Sequence, residues 1–217
     1  DTYDKRNIHC DVLVVGAGPS GLMAALTAAR SGARVIVADE QAEFGGSLLG
    51  AGIEVGGMAA GEWVHKMVEA LAKWPEVMML SRSTVTGYHD HNFLVINERR
   101  TDHLSKPVPL MSRERMCRVR AKQVVLATGA IERPLVFADN DRPGVMLASA
   151  VSVYMQRYAA LPGRSLVIFT NNDSAYRVVH DAIDAGAVVK GVVDLRNDGV
   201  SAVADPIRRA GVPVYLG

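Results

Sequence analysis

Three glycines and a carboxylate carry the chemistry most plainly written into this chain: Gly16, Gly18 and Gly21, spaced as GxGxxG, and Asp39 further along. These residue types at this spacing serve one task, holding a dinucleotide by its ADP half. Gly16 allows a tight turn out of a strand, Gly18 lets a pyrophosphate approach the backbone, and Gly21 lets a helix pack closely on that strand. The phosphates would rest on free N–H groups at the positive end of a helix that opens with Pro19 and Ser20. Asp39 stands where such units place the acidic residue for an adenosine ribose, with Glu40 and Gln41 beside it. Gly45 and Gly46 would let the backbone pass close to the same ligand. The Ser47 hydroxyl is then a phosphate or ribose partner, an ordinary flexible turn being the alternative. Thr128 and Gly129 bring the chain to the same crevice after another buried strand. Val85, beyond the third parallel strand, is the candidate for a backbone contact to adenine.

The elements that must position these residues are legible as an α/β, Rossmann-like pattern. Residues 12–15 are apolar and mostly β-branched, as in a strand buried on both faces. An alanine-rich run over 22–30 predicts a helix closed by Ser31-Gly32, and 34–38 predict the second strand. Residues 51–61 read as a glycine-rich loop. Trp63, Val64, Met67, Val68 and Leu71 then recur at helical spacing over 62–73, a core-facing stripe without functional content. A short strand over 76–80 follows. Segments 88–98 and 116–120 flank a polar stretch and predict an antiparallel β-meander inserted in the parallel sheet. Residues 123–126 form another buried strand, 130–144 a crossover, and 145–158 a helix.

At Arg164 the opening pattern starts again, with a strand over 166–169, a helix over 174–185 closed by Gly186, and a strand over 188–193. Aligning Gly16 with Thr170 puts Asn172 at the place of Gly18 and Ala175 at that of Gly21, while Asp194 falls one residue past the match of Asp39. Asn172 places a side chain where backbone would meet pyrophosphate, so this is a second nucleotide fold that has lost its nucleotide. The expected division is 1–162, a dinucleotide-binding domain with meander and crossover, and 163–217, part of a second Rossmann-like domain with a degenerate phosphate loop.

With 24 basic and 23 acidic residues in 217, charge gives no reason to expect nucleic acid or an anionic membrane. No apolar run approaches the roughly 20 residues of a bilayer span. The polar N-terminus carries no signal-peptide pattern, so a cytoplasmic setting is expected. The missing initiator Met suggests a processed chain or a piece of a longer one. Cys10 and Cys117 lack any redox or metal spacing and read as buried or indifferent thiols. His89 and His91 have no third ligand in view, so no metal is expected. Arg99, Arg100, Arg113, Arg115, Arg118, Arg120 and Lys122 read as a solvated hairpin face, a partner surface being the alternative.

The order of GxGxxG, acidic strand end, meander and Ala-Thr-Gly is the signature of the two-dinucleotide-binding flavoprotein architecture. Beyond it, the chain resembles the alpha subunit of heterotetrameric sarcosine oxidase from end to end. The resemblance is carried by DVLVVGAGPSG (11–21), ADE (38–40) with GGSL (45–48), and RAKQVVLATGA (120–130). It continues through ERP (132–134), NDRPGVMLA (140–148) and TNNDSAY (170–176); the last two motifs are the most restricted. The resemblance implies oxidative demethylation of sarcosine to glycine, with oxygen reduced to hydrogen peroxide and tetrahydrofolate accepting the one-carbon unit. It implies partner subunits beta, gamma and delta. It also implies NAD held noncovalently by Gly16, Gly18, Ser20, Gly21, Asp39, Glu40, Gln41, Ser47 and Val85, with FAD and FMN elsewhere in the complete enzyme. A carboxylate at Asp39 suits two free ribose hydroxyls and would repel a 2′-phosphate, which favours NAD over NADP. The alternative is an FAD-binding subunit of a related amine or opine oxidase or dehydrogenase, because both ligands present ADP to the same loop. No residue of this chain is expected to be catalytic.

Overall fold

The computed structural model describes residues 3–106 and 108–217. They belong to two compact units, one of Asp1–Leu48 with Ile53–Ala130, the other of Leu49–Gly52 with Ile131–Gly217.

The first unit opens with β1 (Tyr3–Val15), α1 (Pro19–Arg30) and β2 (Val35–Ala38). A short hairpin follows, β3 (Glu54–Val55) and β4 (Met58–Ala59), and leads into α2 (Ala60–Ala72), β5 (Val77–Leu80), β6 (Ser83–His89), β7 (Phe93–Arg99) and β8 (Glu114–Leu126). Six strands make one sheet in the order β5-β2-β1-β8-β7-β6. The first four run parallel; β7 adds antiparallel to β8, and β6 antiparallel to β7.

Side-chain alternation explains why residues 12–15 of β1 and all of β2 are apolar at every position. Val14, Val35 and Val37 face α1 and α2, joining Leu22, Leu26, Val64 and Leu71 in one cluster. Leu13, Val15, Ile36 and Ala38 face the other way and join Leu94, Ile96, Cys117 and Val119 of β7 and β8. The meander thus covers the sheet face that the helices leave open. Cys10 and Cys117 lie in this second cluster as free, buried thiols. Burial pushes the Cys10 thiol up to about 11, with Asp11 adding to the effect.

Two expectations about strands need correction. β1 begins at Tyr3 rather than near residue 12, because its polar first half pairs residue for residue with β8 instead of trailing free. The second meander strand and the strand that ends at Leu126 are one continuous element, β8. Its first half (Met116 to Lys122) alternates buried with exposed residues, and the apolar run that follows, expected to be buried, is only half-buried, with Leu126 exposed; the change of pattern marks no change of strand. Likewise, 51–61 is no plain loop: it contains the β3–β4 hairpin and the start of α2.

The second unit contains α3 (Ala148–Tyr158), β9 (Ser165–Thr170), α4 (Tyr176–Asp184), β10 (Val188–Asp194), α5 (Ser201–Arg209) and β11 (Val214–Leu216). Its three strands are parallel in the order β11-β10-β9. Val178, Val179, Val192, Ala204 and Ile207 form its core, with Val151 and Met155 of α3. The repeat is visible in how helices stop. After α1, Gly32 N–H donates to Ala29 and Ala33 N–H to Ala28; after α4, Gly186 donates to Ile183 and Ala187 to Ala182. Both are Schellman closures.

Candidate dinucleotide site

At the carboxyl ends of β1 and β8 the chain makes its closest internal approach. A Cβ on Gly16, whose φ is +95°, would collide with the Ala127 carbonyl oxygen and would sit 3.2 Å from Thr128 Cα. A Cβ on Gly21 would collide in turn with the Gly16 carbonyl oxygen. The first and third glycines of the motif therefore clamp strand, turn and helix together, and Thr128 completes the wall.

Gly18 is the N-cap of α1, with extended backbone and no side chain capping the helix among the described residues. Pro19 has no N–H to satisfy. The helical ladder starts with Leu22 N–H donating to the Gly18 carbonyl at 2.9 Å, so the N–H groups of Ser20 and Gly21 lie ahead of it. Only Gly46 Cα, at 4.0 Å, borders the space a Gly18 Cβ would enter. Gly46 itself is tight, since its own Cβ would stand 2.9 Å from Gly18 Cα. Gly45 N–H donates to the Ala17 carbonyl at 2.8 Å. The second glycine pair is thus laid against the first phosphate loop, and backbone alone faces this end of α1.

Asp39 is 7% exposed, and both its oxygens are engaged. One accepts from Ala17 N–H at 2.6 Å and the other from Gln41 N–H at 2.8 Å. The carboxylate therefore ties the turn after β1 to the end of β2. A carboxylate has about four acceptor sites, and two remain for hydroxyl donors. Glu40 and Gln41 are exposed. Their backbone is held from the meander side: Arg99 Nη2 donates to Glu40 O at 2.9 Å, and Arg82 N–H donates to Gln41 O at 2.8 Å. Ser83 N–H donates to Asp39 O at 2.7 Å.

The sequence-predicted residues Gly16, Gly18, Pro19, Ser20, Gly21, Asp39, Gly46 and Thr128 are brought together by these contacts. Glu40, Gln41, Ser47 and Gly129 adjoin them in the chain, and Ser47 and Gly129 are exposed. Val85 follows two residues after Ser83, whose N–H meets the Asp39 carbonyl. It lies within β6, pairs with Ile96 and packs on the meander-side cluster. The residues after β5 that do reach Asp39 and Gln41 are Arg82 and Ser83. Arg99, a further support, reads in the sequence only as one of the basic residues of a hairpin face, because its hold on Glu40 depends on β7 pairing, for which its own neighbours give no signal.

The corresponding place in the second unit is built differently. Asn172 accepts from Ser174 N–H through its side chain at 3.0 Å, capping the helical turn where the first unit has bare backbone. Asp194 is fully buried, and it accepts from the Tyr176 hydroxyl at 2.9 Å and from Arg196 Nη2 at 2.7 Å. Arg196 Nη1 reaches Asp173 at 2.8 Å. Arg196 holds the Asp194 carboxyl below the usual carboxylate range, while burial and the Asp194 hydrogen bond push Tyr176 up to about 12. The one-residue spacing discrepancy also resolves. A bulge between Val189 and Gly191 takes up the extra residue, so Asp194 pairs opposite Thr170. In the first unit Val15 pairs with Ala38, which sets Asp39 next to that row beside Gly16.

The basic cluster divides. Arg100 and Arg115 are mostly buried side chains paired with Asp4 and Glu98, whereas Arg118, Arg120 and Lys122 are exposed. Period-two alternation along β8 sends neighbouring arginines to opposite faces. Only part of the cluster is therefore a solvated face.

With this geometry in view, comparison with known proteins is informative. Residues 11–108 match the family described as FAD dependent oxidoreductase. Sarcosine oxidase subunit alpha of Corynebacterium sp. (strain P-1) is 51% identical over 99% of this chain. That of Corynebacterium sp. (strain U-96) is 46% identical over the same share. Along its length, this chain is similar to sarcosine oxidase subunit alpha. It spans 22% of the length of each of these two relatives. Among solved structures, L-proline dehydrogenase from P. horikoshii superposes with a TM-score of 0.70 at 24% identity, covering 88% of this chain and 36% of that one. This last likeness concerns the fold, a mixed α/β structure with a mostly parallel sheet. No helix among the described residues is long and apolar enough to cross a membrane.

Proposed function

We propose that the first unit binds NAD, and that the chain is the NAD-carrying part of an oxidoreductase of the sarcosine oxidase kind. The observation that carries this reading is the uncapped N-terminus of α1, faced by backbone alone at Gly18 and Gly46. A pyrophosphate fits there, because a helix N-terminus without side-chain caps offers N–H donors and a favourable dipole. Ser20 and Gly21 would donate to the phosphates. The two unused acceptor sites of Asp39 would take ribose hydroxyls, with Glu40 as the exposed second carboxylate. Such a carboxylate pair disfavours a 2′-phosphate. When bound, a nicotinamide dinucleotide supplies a two-electron hydride carrier.

In the same reading, the complete enzyme converts sarcosine to glycine with hydrogen peroxide formation and tetrahydrofolate as one-carbon acceptor. This chain contributes cofactor binding, beside partner subunits beta, gamma and delta that bring FAD and FMN. The Tyr176–Asp194–Arg196–Asp173 network and the Asn172 cap fill the second phosphate loop, which supports a scaffolding role for that unit. A second reading is favoured by the family match, whose description names FAD: the same loop then holds the ADP half of FAD.

The test is to denature the purified chain and identify the released nucleotide by absorbance and mass spectrometry. Colourless NAD supports the first reading; yellow FAD replaces it with the second. An absence of any nucleotide, together with no calorimetric binding of either one, removes both.

A further inference from the structure

Far from the dinucleotide end, the first unit carries a cleft of about 420 Å³, lined by the first half of β1 (Arg6, Ile8, His9), by Arg34 and Ile36, and by Met78 of β5 among others. It exists because β1 and β2 differ in length. β2 begins at Val35, paired with Val12, whereas β1 runs back to Tyr3. From Tyr3 to Cys10, β1 pairs only with β8. Val12 and Gly16 direct their N–H groups toward β2. Asp11 N–H does so too, at 2.9 Å to the same Arg34 carbonyl that takes Val12. Ile8 and Cys10 share the sheet face of Leu13 and Val15. Before this one-residue slip of phase, alternation aims the N–H groups of Lys5, Asn7 and His9 to that side. Among the described residues, no backbone partner meets them there. An open edge of parallel sheet beside a cleft is a template for one more strand.

We propose that this cleft receives an extended, acidic segment of another polypeptide, which pairs with the free edge of β1 in line with β2. Charge selects the occupant. Arg6, His9 and Arg34 line the cleft, and its one carboxylate, Glu76, is engaged by Arg34 Nε at 2.8 Å. Arg34 Nη1 also donates to His9 Nε2 at 2.6 Å, which ties Arg34 to β1. Lys5 is exposed next to them. A second copy of this edge would set Lys5 and Arg6 against their own like charges, so self-pairing is disfavoured. Ile8, Ile36, Val77 and Met78 supply an apolar lining, which suits a segment that alternates acidic with apolar residues. This inference does not depend on which nucleotide the first unit holds.

The experiment uses the full chain and a fluorescein-labelled octapeptide of alternating glutamate and valine, read by anisotropy. Amide hydrogen exchange at Asn7 and His9 is followed in parallel. Saturable binding is expected, together with at least about tenfold slower exchange at both amides. N-methylation of the peptide amides that would face β1 should weaken binding by at least about tenfold, as should Arg6→Glu in a chain of unchanged circular dichroism. No saturable binding overturns the proposal, and so does binding indifferent to N-methylation or equal binding of the lysine–valine peptide. Sedimentation showing a dimer with protected His9 overturns it in favour of a second copy. Fast exchange at both amides in every condition assigns the charges on this edge to keeping it solvated.

Discussion

At the scale of single residues, the two outer glycines and the middle glycine of the motif do separable jobs, and substitution should separate them. Gly21→Ala drives a methyl group into the Gly16 carbonyl and should cost about 3 kcal/mol of stability, the range of an overpacked core. Gly18→Ala meets nothing nearer than Gly46 Cα at 4.0 Å and should cost no more than about 1 kcal/mol. Denaturant unfolding of the two variants checks the ordering, and equal losses would refute the clamp. Gly18→Asp should keep the fold, yet abolish nucleotide binding by placing a charge against the pyrophosphate. Calorimetry showing undiminished binding in that variant would move the site elsewhere. Asp39 is a double case. Its removal in Asp39→Ala strands the N–H groups of Ala17 and Gln41. That should lower stability by about 1–3 kcal/mol, with a loss of nucleotide affinity of roughly the same size. Glu40→Ala, on an exposed side chain, should leave stability unchanged. If Asp39→Ala unfolds at the parent's denaturant concentration, the tie between β1 and β2 carries no weight.

At the scale of elements, what was legible and what was not divides along physical lines. β1, α1 and β2 carry local signals, apolar runs and glycine stops, and so does the repeat in the second unit. The equivalence of Asp194 with Asp39 was hidden by one residue, because a bulge in β10 leaves no mark on apolar patterning. Counting from the third strand leads to Val85, whereas the support that Arg82 and Ser83, just before it, give to Gln41 and Asp39 comes from backbone pairing that local pattern does not show. Arg99 and the division of the basic cluster depend on partners distant in sequence, which local pattern does not encode. The filled loop of the second unit makes its own prediction. Tyr176, raised from its ordinary 10.0 to about 12, is stabilised as the neutral phenol. Its contribution is full below pH 10 and is lost as pH climbs from there through about 12. Asp194, held low by Arg196, contributes above the ordinary carboxylate range and loses that contribution as pH falls through its depressed value. Thermal unfolding followed across alkaline pH should show the parent losing stability that Tyr176→Phe does not lose. Identical alkaline curves would exclude the phenol–carboxylate contact.

At the scale of the whole molecule, the two compact units share a plan and differ in what fills the turn after the first strand. One presents bare backbone there. The other caps its turn with Asn172 on Ser174 and joins Asp173, Tyr176, Asp194 and Arg196 to each other. The alkaline loss predicted above should accordingly fall on probes in the second unit, with the first unit's amide exchange unaffected until global unfolding. A different kind of consequence follows from β8, which runs unbroken from the meander to the wall beside Gly16. Such a strand cannot gain or lose one residue without turning every side chain beyond the change to its opposite face. Over evolutionary time, length variation in relatives of this chain should therefore collect in the connection between β7 and β8. The strand itself should keep its count, because inheritance can lengthen a loop by single codons but cannot do so to a ruler.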